Sequence, residues 1–122
     1  MNQNLNEWIS QSILSFVETS SENTLGRFNE KAWEKPLMGF SRGDDELYAY
    51  YKKDIGSFYL SPKEFLEGTY PGKKFLPEEI SVISWVLPHT EKTKEEQREQ
   101  KLFPTERAAL SRSDGENFNQ RI

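Results

Sequence analysis

The longest nearly continuous apolar run of the chain, Ile80 to His89, is the feature that most constrains its fold. It reads Ile-Ser-Val-Ile-Ser-Trp-Val-Leu-Pro-His and is rich in β-branched and aromatic residues. Such a run, ended by a proline, is typical of a buried β-strand. A strand that is apolar on both faces needs other elements to cover both faces. We therefore expect Ile83, Trp85 and Leu87 to form the centre of the core.

Earlier segments carry signals for helices and for a second strand. Apolar residues at helical spacing predict an amphipathic first helix whose stripe faces the core: Leu5, Trp8, Ile9, Ile13, Phe16 and Val17. The stretch 36–41 begins with a proline and predicts a short strand. A helix should follow from the Asp44-Asp45 turn to Gly56. Ser61, Pro62 and Glu64 then form a capping-box start for a short third helix.

This order of elements predicts an α/β or α+β fold with a small parallel or mixed sheet flanked by helices. If the two strands are parallel, the connection between them should be right-handed. At 122 residues the chain has the length of a single domain, which we take to span residues 1–122.

The segment 91–101 has no apolar residue and carries four acidic and four basic side chains. We expect a solvated charged segment, either a helix or a mobile loop, that buries nothing. Beyond it, residues 106–111 are helix-prone. The sequence Ser-Asp-Gly-Glu at 113–116 either breaks that helix or caps a new one.

Composition narrows the possible functions. The net charge is −4 and no basic cluster stands alone, so we expect no direct nucleic-acid binding. There is no cysteine, which excludes disulfides and thiolate metal sites within the chain and favours a cytoplasmic protein. Residues 1–7 are polar and no apolar run reaches membrane length, so we expect neither a signal peptide nor a membrane span.

Few residues suggest chemistry of their own. His89, the only histidine, follows the end of the central strand, where open α/β sheets bind ligands. The sequence offers it no visible metal partner, so a structural or solvent-exposed role is the alternative. Asp44 and Asp45 could bind a cation, but capping of the following helix explains at least one of them more simply. No catalytic or metal-binding residue is predicted.

Several stretches together carry a family resemblance. They are Pro36-Leu37-Met38-Gly39-Phe40 with Asp44-Asp45, the stretch Ile55 to Glu64, the stretch Val82 to Pro88, and Arg112 with Gly115 to Asn119. In this order they resemble the N-terminal region of epoxyqueuosine reductase-like iron–sulfur proteins, in particular a ferredoxin-type branch.

The resemblance implies the N-terminal, cluster-free portion of an iron–sulfur oxidoreductase that is catalytically incomplete alone. In the family a cysteine-rich C-terminal domain with [4Fe–4S] clusters follows, and the reductases bind cobalamin between the two domains. Phe40, Trp85 and His89 would then line the cofactor cleft, together with Leu87. The stretch 112–116 departs from the reductases' Arg-Asp-Tyr-His pattern and has no histidine, so no catalytic residue is carried over.

Two kinds of partner follow from these readings. The first is the missing cluster domain, and in its absence the uncovered apolar lining should favour a homodimer. The alternative is a stand-alone protein-binding or assembly module without catalysis, which would use exposed aromatic residues such as Trp33 and Tyr70.

Overall fold

The structure is a computed structural model that describes residues 3–122. Along the chain, its helices and strands are α1 (Gln3–Thr19), β1 (Leu37–Arg42), α2 (Glu46–Asp54), α3 (Pro62–Thr69), a 3₁₀ turn (Pro77–Glu79), β2 (Ser81–Val86), α4 (Glu91–Glu99), α5 (Glu106–Leu110), a π turn (Ser111–Gly115) and α6 (Glu116–Asn119). Both predicted strands are present and the α+β class is confirmed. No helix of the described residues is both long and apolar enough to cross a membrane.

The two strands form an antiparallel pair, so the expectation of a parallel or mixed sheet is wrong, and the right-handed crossover expected for parallel strands does not apply. In an antiparallel pair the end of one strand meets the start of the other. Gly43, directly after β1, donates its backbone N–H to the carbonyl oxygen of Ile80, directly before β2, at 2.8 Å. A Cβ atom at position 43 would lie 2.6 Å from the Cβ of Ile80, so only glycine allows this approach.

The chain divides into two compact units, which we describe separately. The terminal unit comprises residues 3–38 together with Trp85–Ile122, and the middle unit comprises Gly39–Ser84. The prediction of a single domain over residues 1–122 stays a prediction, because two compact units can belong to one domain.

The apolar core lies mainly in the terminal unit and not on β2. Its fully buried side chains are Val17, Leu25, Ala32 and Phe118. The Phe118 ring stacks on that of Phe16 with 5.4 Å between centroids.

The expectation that Ile83, Trp85 and Leu87 form the centre of the core is therefore wrong. All three are only half-buried, and Val86 between them is 59% exposed. A sheet of two strands has too little surface to bury a strand on both faces.

The stripe of α1 faces the core only at its C-terminal end. Phe16 and Val17 pack there, but Trp8 is 67% exposed. The helical period was predicted correctly, whereas burial of the whole stripe was not.

In the middle unit the cap of α3 is the predicted one, whereas α2 is capped by Asp45 and not by Asp44, the residue expected from the sequence. Asp45 caps α2 by accepting a hydrogen bond from the backbone N–H of Leu47 at 2.9 Å. At α3 the predicted capping box is complete: the Ser61 hydroxyl accepts from the backbone N–H of Glu64, and the Glu64 carboxylate accepts from that of Ser61. Neither helix contains a fully buried residue, and the buried apolar side chain of this unit is Ile80.

The charged segment 91–101 is a helix, α4, and the expectation that it buries nothing is wrong. Thr93 is 2% exposed. The Gln97 side chain accepts a hydrogen bond from the backbone N–H of Thr105 at 2.9 Å and donates one to the carbonyl oxygen of Phe103 at 3.2 Å. Polar side chains thus attach this helix to the rest of the terminal unit, and the helix itself contains no apolar residue.

Candidate functional site

His89, the histidine that was predicted to bind a ligand, contacts Trp33. Both residues lie in the terminal unit. The two rings are in contact, with 5.0 Å between centroids and a tilt of 38° between their planes, and the two residues form an isolated antiparallel bridge. The Trp33 indole N–H donates to the carbonyl oxygen of Gly115 at 3.0 Å. Trp33 is therefore held by the fold and is not the freely exposed aromatic residue that the assembly-module reading assumed.

The space for the Trp33 ring depends on Gly115. A Cβ atom at position 115 would lie 2.5 Å from Cζ2 of Trp33, far inside van der Waals contact. The π turn at Ser111–Gly115 joins α5 to α6, so the 113–116 stretch neither ends the helical path nor provides a side-chain cap. Turns of this kind are often found at functional sites.

Trp85 is held by α6. Its indole N–H donates to Oδ1 of Asn119 at 2.8 Å, and its ring is half-buried. Two of the stretches that carry the family resemblance, 82–88 and 115–119, therefore contact each other through this bond.

The three predicted cofactor-binding residues do not all belong to one unit. Trp85 and His89 lie in the terminal unit, whereas Phe40 lies in the middle unit, half-buried on β1. Their role in cofactor binding stays a prediction. His89 is exposed and its ring forms no hydrogen bond to another described residue, so the geometry gives it no partner for acid–base chemistry. Within residues 3–122, no group of three or more His, Asp or Glu side chains could hold a metal ion.

The terminal unit also contains a charged cluster around Arg107. Its Nε donates to Glu30 Oε1 at 2.6 Å, its Nη1 pairs with Glu96, and its guanidinium lies 4.0 Å from the centroid of the Phe28 ring. The hydrogen bond from Arg107 lowers the pKa of Glu30, and the same bond is the main reason why the pKa of Arg107 is raised. Both carboxylates of this cluster, Glu30 and Glu96, pair with Arg107, which suits a structural role better than a catalytic one.

The middle unit carries a largely apolar concave surface, which we call the aromatic groove. It has a volume of about 430 Å³. Its apolar lining consists of Tyr48, Phe58, Tyr59, Leu60, Pro62, Phe65 and Val82. Phe58 is 76% exposed and Phe65 59% exposed, so the groove is open to solvent.

Hydrogen bonds and ring contacts fix the walls of the aromatic groove. The hydroxyl groups of Tyr48 and Ser41 lie 2.6 Å apart, within hydrogen-bonding distance. Tyr51 makes edge contacts with the rings of Tyr48 and Tyr59, at 6.3 and 5.5 Å between centroids. This groove was not predicted from the sequence. The signal in the sequence that could have predicted the groove is the apolar run 58–60. This run lies between two short helices, α2 and α3, in which no residue is fully buried.

Known proteins give no further guide to this site. Comparison of the chain with protein-family models, with curated proteins and with solved structures finds no match.

Proposed function

We propose that the chain is the cluster-free portion of an epoxyqueuosine reductase-like iron–sulfur oxidoreductase, and that it acts by binding the domain that carries the [4Fe–4S] clusters. The aromatic groove of the middle unit is the proposed docking surface. The observation that carries the proposal is that the stretch 55–64, part of the family resemblance, supplies most of this groove.

The exposure of apolar side chains supports a docking role. Large apolar residues of the middle unit are more than one-third exposed: Leu47, Tyr50, Ile55, Phe58, Tyr59, Leu60, Phe65, Tyr70 and Leu76. Burial of apolar surface is worth roughly 25 cal/mol per Å². Apolar surface that a chain leaves uncovered is a common mark of a protein interface.

The residues of this chain do not fit a resident iron–sulfur cluster. The protein sites of such clusters are built from cysteine thiolates, and the sequence has no cysteine. The proposal therefore assigns the clusters to the partner and no chemical step to this chain. It also places the protein in the cytoplasm, since a chain without cysteine has no need of an oxidising compartment.

The proposal is tested by mixing the chain with the reconstituted cluster domain of an epoxyqueuosine reductase-like protein and following backbone amide signals by NMR. We expect saturable shifts confined to residues around the aromatic groove. Phe58→Asp should abolish them, because a carboxylate would have to be buried without a partner. Phe103→Asp, at a phenylalanine that is 67% exposed in the terminal unit, is the matched control and should leave them unchanged.

Absence of binding to the cluster domain would overturn the proposal. If the groove signals move only with the concentration of the chain itself and not with that of the cluster domain, the groove serves self-association alone. That outcome would favour the alternative of an assembly module without catalysis.

A further inference from the structure

The terminal unit contains a second concave site, the α1 cleft, which the proposed function does not use. It lies between the C-terminal half of α1 and the segment 31–36, and its volume is about 350 Å³. This is at the small end of the range of roughly 300–1,000 Å³ that is usual for small-molecule sites.

One buried side chain, Asn23, holds both walls of the α1 cleft. Its Nδ2 donates to the carbonyl oxygen of Val17 on α1 at 2.9 Å and to that of Trp33 at 3.1 Å. Its Oδ1 accepts from the backbone N–H of Trp33 at 3.0 Å. Asn23 is 4% exposed, so these bonds are protected from water. The walls are therefore fixed before any ligand binds, which lowers the ordering cost of binding.

The floor of the α1 cleft is apolar and includes one aromatic ring. Leu14, Val17, Trp33 and Pro36 form it. The bond from the Trp33 indole to Gly115 and the tilted ring contact with His89 fix the ring in one orientation. A fixed ring favours an aromatic ligand group, because edge-to-face and offset contacts depend on orientation.

The rim of the α1 cleft carries charges of both signs. Glu18 and Glu34 supply carboxylates, and Lys31 and Lys35 supply ammonium groups. Among the described residues, none of these four side chains has an ion-pair partner within 4 Å, whereas many other charged side chains of the protein are paired. The rim can therefore pair with a ligand that carries both an ammonium and a carboxylate group.

We propose that the α1 cleft binds a free α-amino acid with an aromatic side chain. The aromatic group lies on the apolar floor against Trp33. The ligand ammonium group pairs with the rim carboxylates, and the ligand carboxylate pairs with the rim lysines. The Gln11 amide, also at the rim, can serve as donor or acceptor to either group.

The test is a titration of the full chain with L-phenylalanine, followed by NMR of the tryptophan indole N–H signals and by calorimetry. We expect saturable shifts of the Trp33 signal. Phenylacetate lacks the ammonium group and phenethylamine lacks the carboxylate, so each should bind about tenfold more weakly, the ratio that corresponds to the loss of one charged contact.

Two variants examine the rim without touching the core. Glu18→Gln should weaken L-phenylalanine binding while leaving phenylacetate binding unchanged, and Lys35→Gln should weaken both. Lys53→Gln, at an exposed lysine of the middle unit, is the matched control and should alter neither. Circular dichroism checks that each variant is folded.

Two results would overturn the proposal. One is the absence of a saturable Trp33 shift up to about 10 mM ligand, a concentration well above the Kd of a specific contact in the millimolar range. The other is equal binding of L-phenylalanine, phenylacetate and phenethylamine, since the rim charges would then play no part. Neither result depends on the aromatic groove, so failure here leaves the proposed docking function intact.

Discussion

Arg107 is a residue whose contacts connect distant parts of the terminal unit. It pairs with Glu30, 77 positions earlier in the chain, and with Glu96 on α4, while its guanidinium covers the Phe28 ring. Its side chain is only 15% exposed, so loss of Arg107 would leave two carboxylates partly buried without their main cation. Arg27, by contrast, is 71% exposed in its pair with Glu106.

We expect the decrease in the thermal midpoint of unfolding to be several-fold larger for Arg107→Ala than for Arg27→Ala, because exposed ion pairs contribute little to stability. Differential scanning calorimetry of both variants measures this. Arg107→Lys should recover only part of the loss, because an ammonium group cannot reproduce two directed guanidinium bonds together with the contact of a guanidinium with the Phe28 ring. Equal midpoints for the two alanine variants would contradict the structural role of Arg107.

Gly115 gives a second prediction at a single residue. A Cβ atom there would meet the Trp33 ring at 2.5 Å, so Gly115→Ala should destabilise the protein by about 1–3 kcal/mol, the usual cost of overpacking. Gly26→Ala is the control, since no atom lies within 4 Å of a Cβ at that position. Denaturant unfolding followed by tryptophan fluorescence compares the two. If Gly26→Ala destabilises the protein as much as Gly115→Ala does, the close approach of Gly115 to the Trp33 ring is not the cause of the loss.

Among the secondary-structure elements, α3 is the one whose start was predicted in most detail from the sequence. Ser61, Pro62 and Glu64 act locally, so three neighbouring residues suffice to predict the cap. The behaviour of α4 could not be read this way. Its attachment depends on Glu96, which pairs with Arg107, and on Gln97, which bonds to Phe103 and Thr105, while Thr93 is buried. In sequence these residues are indistinguishable from solvated polar residues.

The cap of α3 should make the stability of the protein depend on pH in the acidic range. The hydrogen bond from Lys52, at 2.6 Å, with those from Ser61, lowers the pKa of Glu64 from 4.5 to about 2. The folded state thus binds this proton less readily than the unfolded state. The stabilising effect of Glu64 is complete above the unfolded-state pKa near 4.5 and is lost as the pH falls towards 2.

Glu64→Gln keeps a side-chain oxygen for the cap and removes the titration. We expect its thermal midpoint to vary less with pH than that of the wild type between about pH 2 and pH 6. A ¹³C NMR titration of the Glu64 carboxyl group in the wild type measures the pKa directly. Parallel pH profiles for wild type and Glu64→Gln would show that the cap does not depend on charge.

For the whole chain, the sequence predicted the local elements and the α+β class better than it predicted the core. The apolar run at 80–89 does contain a strand, but burial depends on how many neighbours a strand has, and here it has one. The contacts of the terminal unit join residues far apart, as from Trp33 to Gly115, 82 positions away. Such pairings leave no periodic signal in one sequence. Likewise, Trp85 and His89 could be named as candidates, but their partners Asn119 and Trp33 could not.

The apolar surface left open on the middle unit leads to the last prediction, which concerns the chain alone. With no partner present, the aromatic groove offers Phe58, Phe65 and their neighbours to any complementary surface, and a second copy is the one always available. We expect concentration-dependent self-association, most simply a two-fold dimer. Static light scattering across a concentration series should show the mass rising from that of the 14.3 kDa monomer, and Phe58→Asp should suppress the rise while Phe103→Asp should not. A chain that remains monomeric up to about 1 mM, near the weak limit of a specific contact, would mean that the exposed rings of the middle unit do not drive association by themselves. Docking on a cluster domain would then have to draw its affinity from polar contacts around the groove.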